Sequence, residues 1–145
     1  MYPIKGKRTR HYAFYDELDI KQLSEDRLME DVFEDALKNG EFQLWYQPKV
    51  DPVTGNILGA EALIRWKRPD GTMLSPGKFI PLFEKNGNIT TLDEYVFRTV
   101  CAQQQRWLQA GAKLYPISVN ISRVSLYYSN VVDKYRELLN SFQLD

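Results

Sequence analysis

The sequence has one cysteine, Cys101, and one histidine, His11, in 145 residues. A lone cysteine excludes an internal disulfide and points to an intracellular, cytoplasmic setting. A lone histidine leaves no material for a His-based zinc site or a Ser-His-Asp triad. Any metal must then be held by oxygen ligands, which favours Mg²⁺ or Mn²⁺. Excess charge is missing too. The 19 Lys and Arg balance the 19 Asp and Glu, so no bulk field favours a nucleic acid polymer or an anionic membrane. The apolar stretch between Lys113 and Arg123 falls far short of the ~20 residues of a membrane span. The segment from Met1 to Tyr12 lacks the apolar centre of a signal peptide. What is present is a globular composition, 43% hydrophobic and 13% aromatic. A chain of this size can bury roughly 68–70% of its unfolded surface, enough for one core.

Periodicity places the elements. Lys5 to Arg10 is basic and reads as a solvated start leading into a short strand at Tyr12, Phe14 and Tyr15. Leu28, Met29, Val32, Phe33, Ala36 and Leu37 repeat at helical spacing, which predicts a helix from Ser24 to Asn39 with Gly40 as its stop. Phe42, Leu44 and Tyr46 alternate with Gln43, Trp45 and Gln47, the pattern of a strand that ends near Pro48. Asp51-Pro52-Val53-Thr54-Gly55 carries turn chemistry. A second strand follows, so the pair should be antiparallel neighbours. Ser75-Pro76 opens a helix that Asn86-Gly87 ends. Thr91-Leu92-Asp93-Glu94 has the form of a capping box and opens a longer helix to Gly111. Cys101 lies in that helix and reads as a small buried residue rather than a nucleophile. Leu114 to Ser122 is a strand, and a last helix runs from Asn130 to Phe142. Strands separated by helices argue for an α/β fold with a parallel component.

The chemistry concentrates in Gly59-Ala60-Glu61-Ala62-Leu63-Ile64-Arg65-Trp66. Strand side chains alternate with period two. Ile57, Gly59, Glu61, Leu63 and Arg65 therefore share one face, while Leu58, Ala60, Ala62, Ile64 and Trp66 form an apolar one. In the later strand Ile117, Val119 and Ile121 oppose Ser118, Asn120 and Ser122. Two strands with one apolar and one polar face allow three readings. The polar faces could be solvated, Glu61 could pair with Arg65, or Glu61 and Asn120 could share an oxygen-ligated cation while Arg65 takes a phosphate oxygen.

Four segments, Tyr46-Gln47-Pro48, Glu61 to Trp66, Phe79 to Ile89 and Val119 to Ser122, occur in an order and spacing that resemble the first part of an EAL domain. Members of that family are similar to TIM barrels with an antiparallel first strand. The resemblance implies an incomplete (β/α) barrel of about three strands. It implies hydrolysis of cyclic di-GMP to pGpG with Mg²⁺ or Mn²⁺, or, as the alternative, a non-catalytic module that binds cyclic di-GMP or a partner protein. It further implies Glu61 and Asn120 as metal ligands, Arg65 as a contact to substrate phosphate, Gln47 near the guanine end and Leu63 on the site floor. The stretch from Gly6 to Tyr15 is similar to the tail of a GGDEF domain. Residues 1–23 are then the tail of an upstream domain or a linker, and 24–145 the connector helix and N-terminal part of the EAL domain. From Phe42 the chain offers 104 residues, against about 250 for an eight-stranded barrel. The family's later ligands, a further glutamate, paired aspartates, a lysine and a late glutamate, have no counterpart. Open sheet edges would favour self-association, a homodimer included, or marginal stability.

Overall fold

A computed structural model describes the backbone of residues 3–128 and 130–144, and the side chains of 17–128 and 130–144. The chain divides into two compact units, Met1–Asn39 and Gly40–Asp145.

The first unit is one helix, α1 (Pro3–Lys38). The strand expected at Tyr12–Tyr15 is helical backbone instead, and the side chains of Lys5–Arg10 lie outside the described residues. Nor does the helix begin at Ser24. The Ser24 hydroxyl donates to the Ile20 carbonyl at 2.9 Å, so this residue is accommodated inside the helix by back-bonding. Residues 17–38 are mostly Glu, Leu, Lys, Gln, Arg, Met, Asp and Ala, many of them strong helix formers. With no proline after Pro3 to interrupt it, the helix extends well beyond the apolar stripe. Gly40, at φ 68°, provides the left-handed turn that ends it.

The second unit is built on a hairpin. Strands β1 (Phe42–Val50) and β2 (Ile57–Lys67) pair antiparallel, from Phe42 opposite Trp66 to Gln47 opposite Glu61. Asp51 closes the turn as expected of that residue type: its Oδ1 accepts from the Val53 N–H at 2.8 Å, and Gly55 takes φ 72°. Two short strands share the other edge of β2. β3 (Met73–Leu74) pairs antiparallel at Trp66–Lys67, and β4 (Ile117–Ser118) pairs parallel at Ala60–Glu61. The strand expected over Leu114–Ser122 is therefore regular for only two residues.

Helices α2 (Pro76–Asn86) and α3 (Asn88–Gln109) connect β3 to β4. Gly87, at φ 88°, ends α2 and begins α3 at once. The expected capping box at Thr91–Glu94 is consequently not used, and those residues sit within the first two turns of α3. Glu94 instead meets Arg98 at 3.0 Å and Lys134 at 2.6 Å. A single turn, α4 (Arg123–Leu126), follows β4, and α5 (Val131–Ser141) lies where the last helix was expected.

The apolar face of the hairpin carries the core. Phe42, Trp66, Phe79 and Phe83 are almost wholly buried. The Phe42 ring centroid lies 4.7 Å from that of Trp66, and Phe79 meets Trp66 nearly perpendicular at 5.6 Å. Burial of each such side chain contributes about 1.5–3 kcal/mol, and favourable ring geometry about 0.5–1.5 kcal/mol more. The Trp66 indole N–H donates to Glu41 Oε1 at 3.1 Å, which satisfies the one polar atom of the cluster. Tyr95 on α3 donates to the Phe42 carbonyl at 3.1 Å, tying helix to strand. Cys101 is buried, and burial raises its thiol pKa. That setting suits packing rather than nucleophilic chemistry.

Candidate functional site

With the apolar face against the helices, the other face of the sheet points away from them. Directly opposed residues of an antiparallel pair share a face. The register therefore puts Gln47 beside Glu61, Trp45 beside Leu63 and Gln43 beside Arg65. The parallel register adds Ser118 beside Glu61. All the residues singled out on β1 and β2, namely Gln47, Glu61, Leu63 and Arg65, thus lie on one face.

Asn120 joins them from beyond the end of β4. Its Nδ2 donates to Glu61 Oε1 at 3.3 Å. Glu61 lies in the middle of β2 rather than near its carboxyl end, because β1 and β3 keep the upper half of β2 in the sheet. The carboxyl end that opens the site belongs to β4, which stops level with Glu61. Glu61, Leu63 and Arg65 are half-buried, whereas Gln47 and Asn120 are exposed. The polar face is open to water, so desolvation is not what would draw a cation to it.

Arg65 does not neutralise Glu61. Its Nη1 donates to the Ile64 carbonyl at 2.7 Å, and among the described residues no ion pair links the two. A guanidinium has five N–H donors, so that single bond leaves capacity for an anion. Between Ala62 and Arg65 the edge of β2 has no strand partner among the described residues. A cleft of about 260 Å³ opens there, backed by Ile80, Ile89, Leu92 and Val96, with Arg65 and Asn120 on its polar rim.

Sequence reasoning passed over two residues on this face. Lys49 Nζ donates to Ser118 Oγ at 3.0 Å, bridging β1 and β4 below Gln47. Trp45, more than half exposed, stands beside Leu63. Both continue the Gln47 alternation by two residues in either direction, which is the signal that could have found them. Gly59 is required for another reason. A Cβ there would stand 2.6 Å from the Pro116 carbonyl oxygen, the atom that accepts from the Ala60 N–H at 3.0 Å. Only glycine lets β4 approach closely enough to bring Asn120 to Glu61.

The EAL domain family matches residues 30–145. The chain belongs to the EAL domain family. Across its whole length it is 33% identical to the bifunctional diguanylate cyclase/cyclic di-GMP phosphodiesterase MucR of Pseudomonas aeruginosa, of which it covers 21%. Over 77% of its length it is 34% identical to the probable cyclic di-GMP phosphodiesterase PdeB of Escherichia coli, of which it covers 22%. The chain thus spans about a fifth of these curated relatives. Among solved structures it resembles the PaMucR phosphodiesterase in complex with c-di-GMP, with a TM-score of 0.74 and 35% identity over 81% of this chain and 47% of that one. It also resembles the EAL enzyme Bd1971 in its cAMP- and cyclic-di-GMP-bound form, with a TM-score of 0.73 and 25% identity over 95% of this chain and 38% of that one. The antiparallel opening hairpin, the two helices and the parallel β4 are the α/β arrangement of an EAL domain, a TIM-like barrel fold. No helix among the described residues is long and apolar enough to cross a membrane.

Proposed function

We propose that this chain contributes the first metal ligands and a phosphate contact to a phosphodiesterase that hydrolyses cyclic di-GMP to pGpG. The observation that carries this reading is the approach of Asn120 to Glu61, 3.3 Å apart, on the face that also bears Gln47, Leu63 and Arg65. The relatives' names and the cyclic-di-GMP-bound neighbours supply the substrate class.

The donor set fits a hard divalent cation. Glu61 offers carboxylate oxygens, and a half-turn of the Asn120 amide would present its Oδ1, an acceptor, in place of Nδ2. Two oxygen donors without a thiolate or imidazole suit Mg²⁺ or Mn²⁺. They do not close a site alone. Among the described residues no three His, Cys, Asp or Glu side chains cluster as a metal-binding group. The remaining positions would fall to water, substrate and other ligands. When bound, such a cation neutralises phosphate charge and activates a water. Arg65 would hold a non-bridging phosphate oxygen with the guanidinium donors that the Ile64 carbonyl leaves over. Gln47 would bond the guanine end, and Leu63 would form the floor beneath it.

Residues 1–23 would belong to an upstream GGDEF-like domain or a linker, and 24–145 to the connector helix and the EAL domain. MucR, whose name includes a diguanylate cyclase, matches across both parts. The helix α1 crosses residue 24 without a break, so such a connector would be continuous with what precedes it. A cytoplasmic location and a homodimer belong to the same reading.

The test is hydrolysis of cyclic di-GMP by the whole protein with Mn²⁺. Wild type should form pGpG, and Glu61→Gln should lose that activity while its circular dichroism is unchanged. Full activity in Glu61→Gln would refute the assignment. Tight cyclic di-GMP binding without turnover by the wild type would favour the sensor alternative.

A further inference from the structure

We infer that Asp93 is a positioning residue for the cation site, acting through the backbone that carries Asn120. The inference rests on the reading of Glu61 and Asn120 as metal ligands. Asp93 is only 7% exposed, although aspartate is seldom buried without partners. It lies on α3, away from the polar face. Its Oδ2 accepts from the Ser122 N–H at 2.9 Å and from the Ser125 hydroxyl at 2.6 Å. Both donors belong to the segment that follows Asn120.

Helix capping does not explain the carboxylate. The Ser122 side chain already caps α4, accepting from the Ser125 N–H at 3.1 Å. A helix of four residues gains little more from a second, buried acceptor. What Asp93 adds is a tether. The ladder to β2 ends at Ser118, and Asn120 lies two residues further on. Ser118, held by β2, and Ser122, held by Asp93, are the two anchors of the short irregular span that presents Asn120. Charge-assisted hydrogen bonds to a carboxylate are roughly twice as strong as neutral ones, which suits an anchor that must fix a ligand within a few tenths of an ångström. Asp93 and Asn120 also line the same cleft, and the link between them is Ser122, held by Asp93 and two residues from Asn120. Partners that orient metal ligands without touching the metal typically change affinity 10–100-fold when altered.

The experiment is a Mn²⁺ titration of the whole protein without substrate, read by the electron paramagnetic resonance of free Mn²⁺ well below each variant's Tm. Asp93→Asn should weaken Mn²⁺ binding by about 10–100-fold. Ser125→Ala, which keeps the bond from the Ser122 N–H, should weaken it less. A folded Asp93→Asn with wild-type Mn²⁺ affinity and a lower Tm would show a merely structural role and overturn the inference while leaving the proposed function intact. If Asp93→Asn does not fold, Ser125→Ala decides: unchanged affinity overturns the inference. A wild type that binds no Mn²⁺ would instead overturn the metal-site reading, and this inference with it.

Discussion

Replacing Gly59 by alanine tests how β4 is held against β2. The added Cβ would lie 2.6 Å from the Pro116 carbonyl oxygen, where 3.4 Å is ordinary contact, so the strands must part by about 0.8 Å. That displacement falls on the 3.0 Å bond from the Ala60 N–H to Pro116 and on the two-residue pairing of β4. Neither neighbour is a flexible side-chain tip, so relief must come from the backbone. Overpacking of this kind costs about 1–3 kcal/mol, a fall in Tm of roughly 4–12 °C for a domain of this size. Because Asn120 follows β4, its distance from Glu61 should grow as well. Calorimetry on the variant gives the first quantity, and Mn²⁺ affinity reports the second. An alanine variant with unchanged Tm and unchanged Mn²⁺ affinity would refute the close-approach argument.

Three further outcomes follow from the packing and the ion pairs. Trp66→Ala should lose about 3–5 kcal/mol, seen in urea unfolding, since the ring is fully buried among Phe42, Phe79 and Phe83 and also satisfies Glu41; a loss under 1 kcal/mol would contradict the core assignment. The hydrogen bond from Lys134, with help from Arg98, holds the Glu94 carboxyl below its usual range. A carboxyl depressed in the folded state adds stability above its unfolded pKa of about 4.3, and that stability fades as pH falls through the lowered value. Lys134 is half exposed, so Lys134→Met should cost no more than about 1 kcal/mol near neutrality, and the difference from wild type should vanish in acid; a difference that grows in acid would contradict the sign. The 145-residue polypeptide assayed by itself should not convert cyclic di-GMP to pGpG, because the proposed site has only Glu61 and Asn120 as protein ligands and no three His, Cys, Asp or Glu side chains cluster among the described residues. Robust turnover would show that those two suffice.

Alternation alone is enough to put Glu61, Leu63 and Arg65 on one face of β2, because the side-chain period of a strand admits no other arrangement once the apolar set has a core to pack on. The Asp51–Gly55 turn likewise dictates the antiparallel hairpin, but the register shifts between Lys49 and Val50, so the turn by itself does not put Gln47 opposite Glu61. Where the sequence pattern misleads, a local signal is outweighed by context. Ser24 looks like a helix start but is absorbed by a bond to Ile20. The Thr91–Glu94 capping box is pre-empted by Gly87, whose left-handed backbone caps the helix four residues earlier. Asp93 then turns inward to Ser122 and Ser125, contacts 29 and 32 residues away that no window of sequence contains. β3, two residues long, is too short for any periodicity to register, and the alternation over Leu114–Ser122 overstates β4, which is regular only at Ile117–Ser118. The meeting of Asn120 with Glu61 is one of three readings that the strand faces allow and the one that the family resemblance implies; its geometry depends on Gly59 and Pro116, which composition and period do not relate.

The most direct measurement is a crystal of the whole protein soaked in Mn²⁺ and recorded at a wavelength where manganese scatters anomalously. The account predicts an anomalous peak within about 2.0–2.6 Å of both a Glu61 carboxylate oxygen and the Asn120 side-chain oxygen, distances set by the ionic size of such cations. Manganese bound elsewhere, with Glu61 and Asn120 still bonded only to each other, would contradict it.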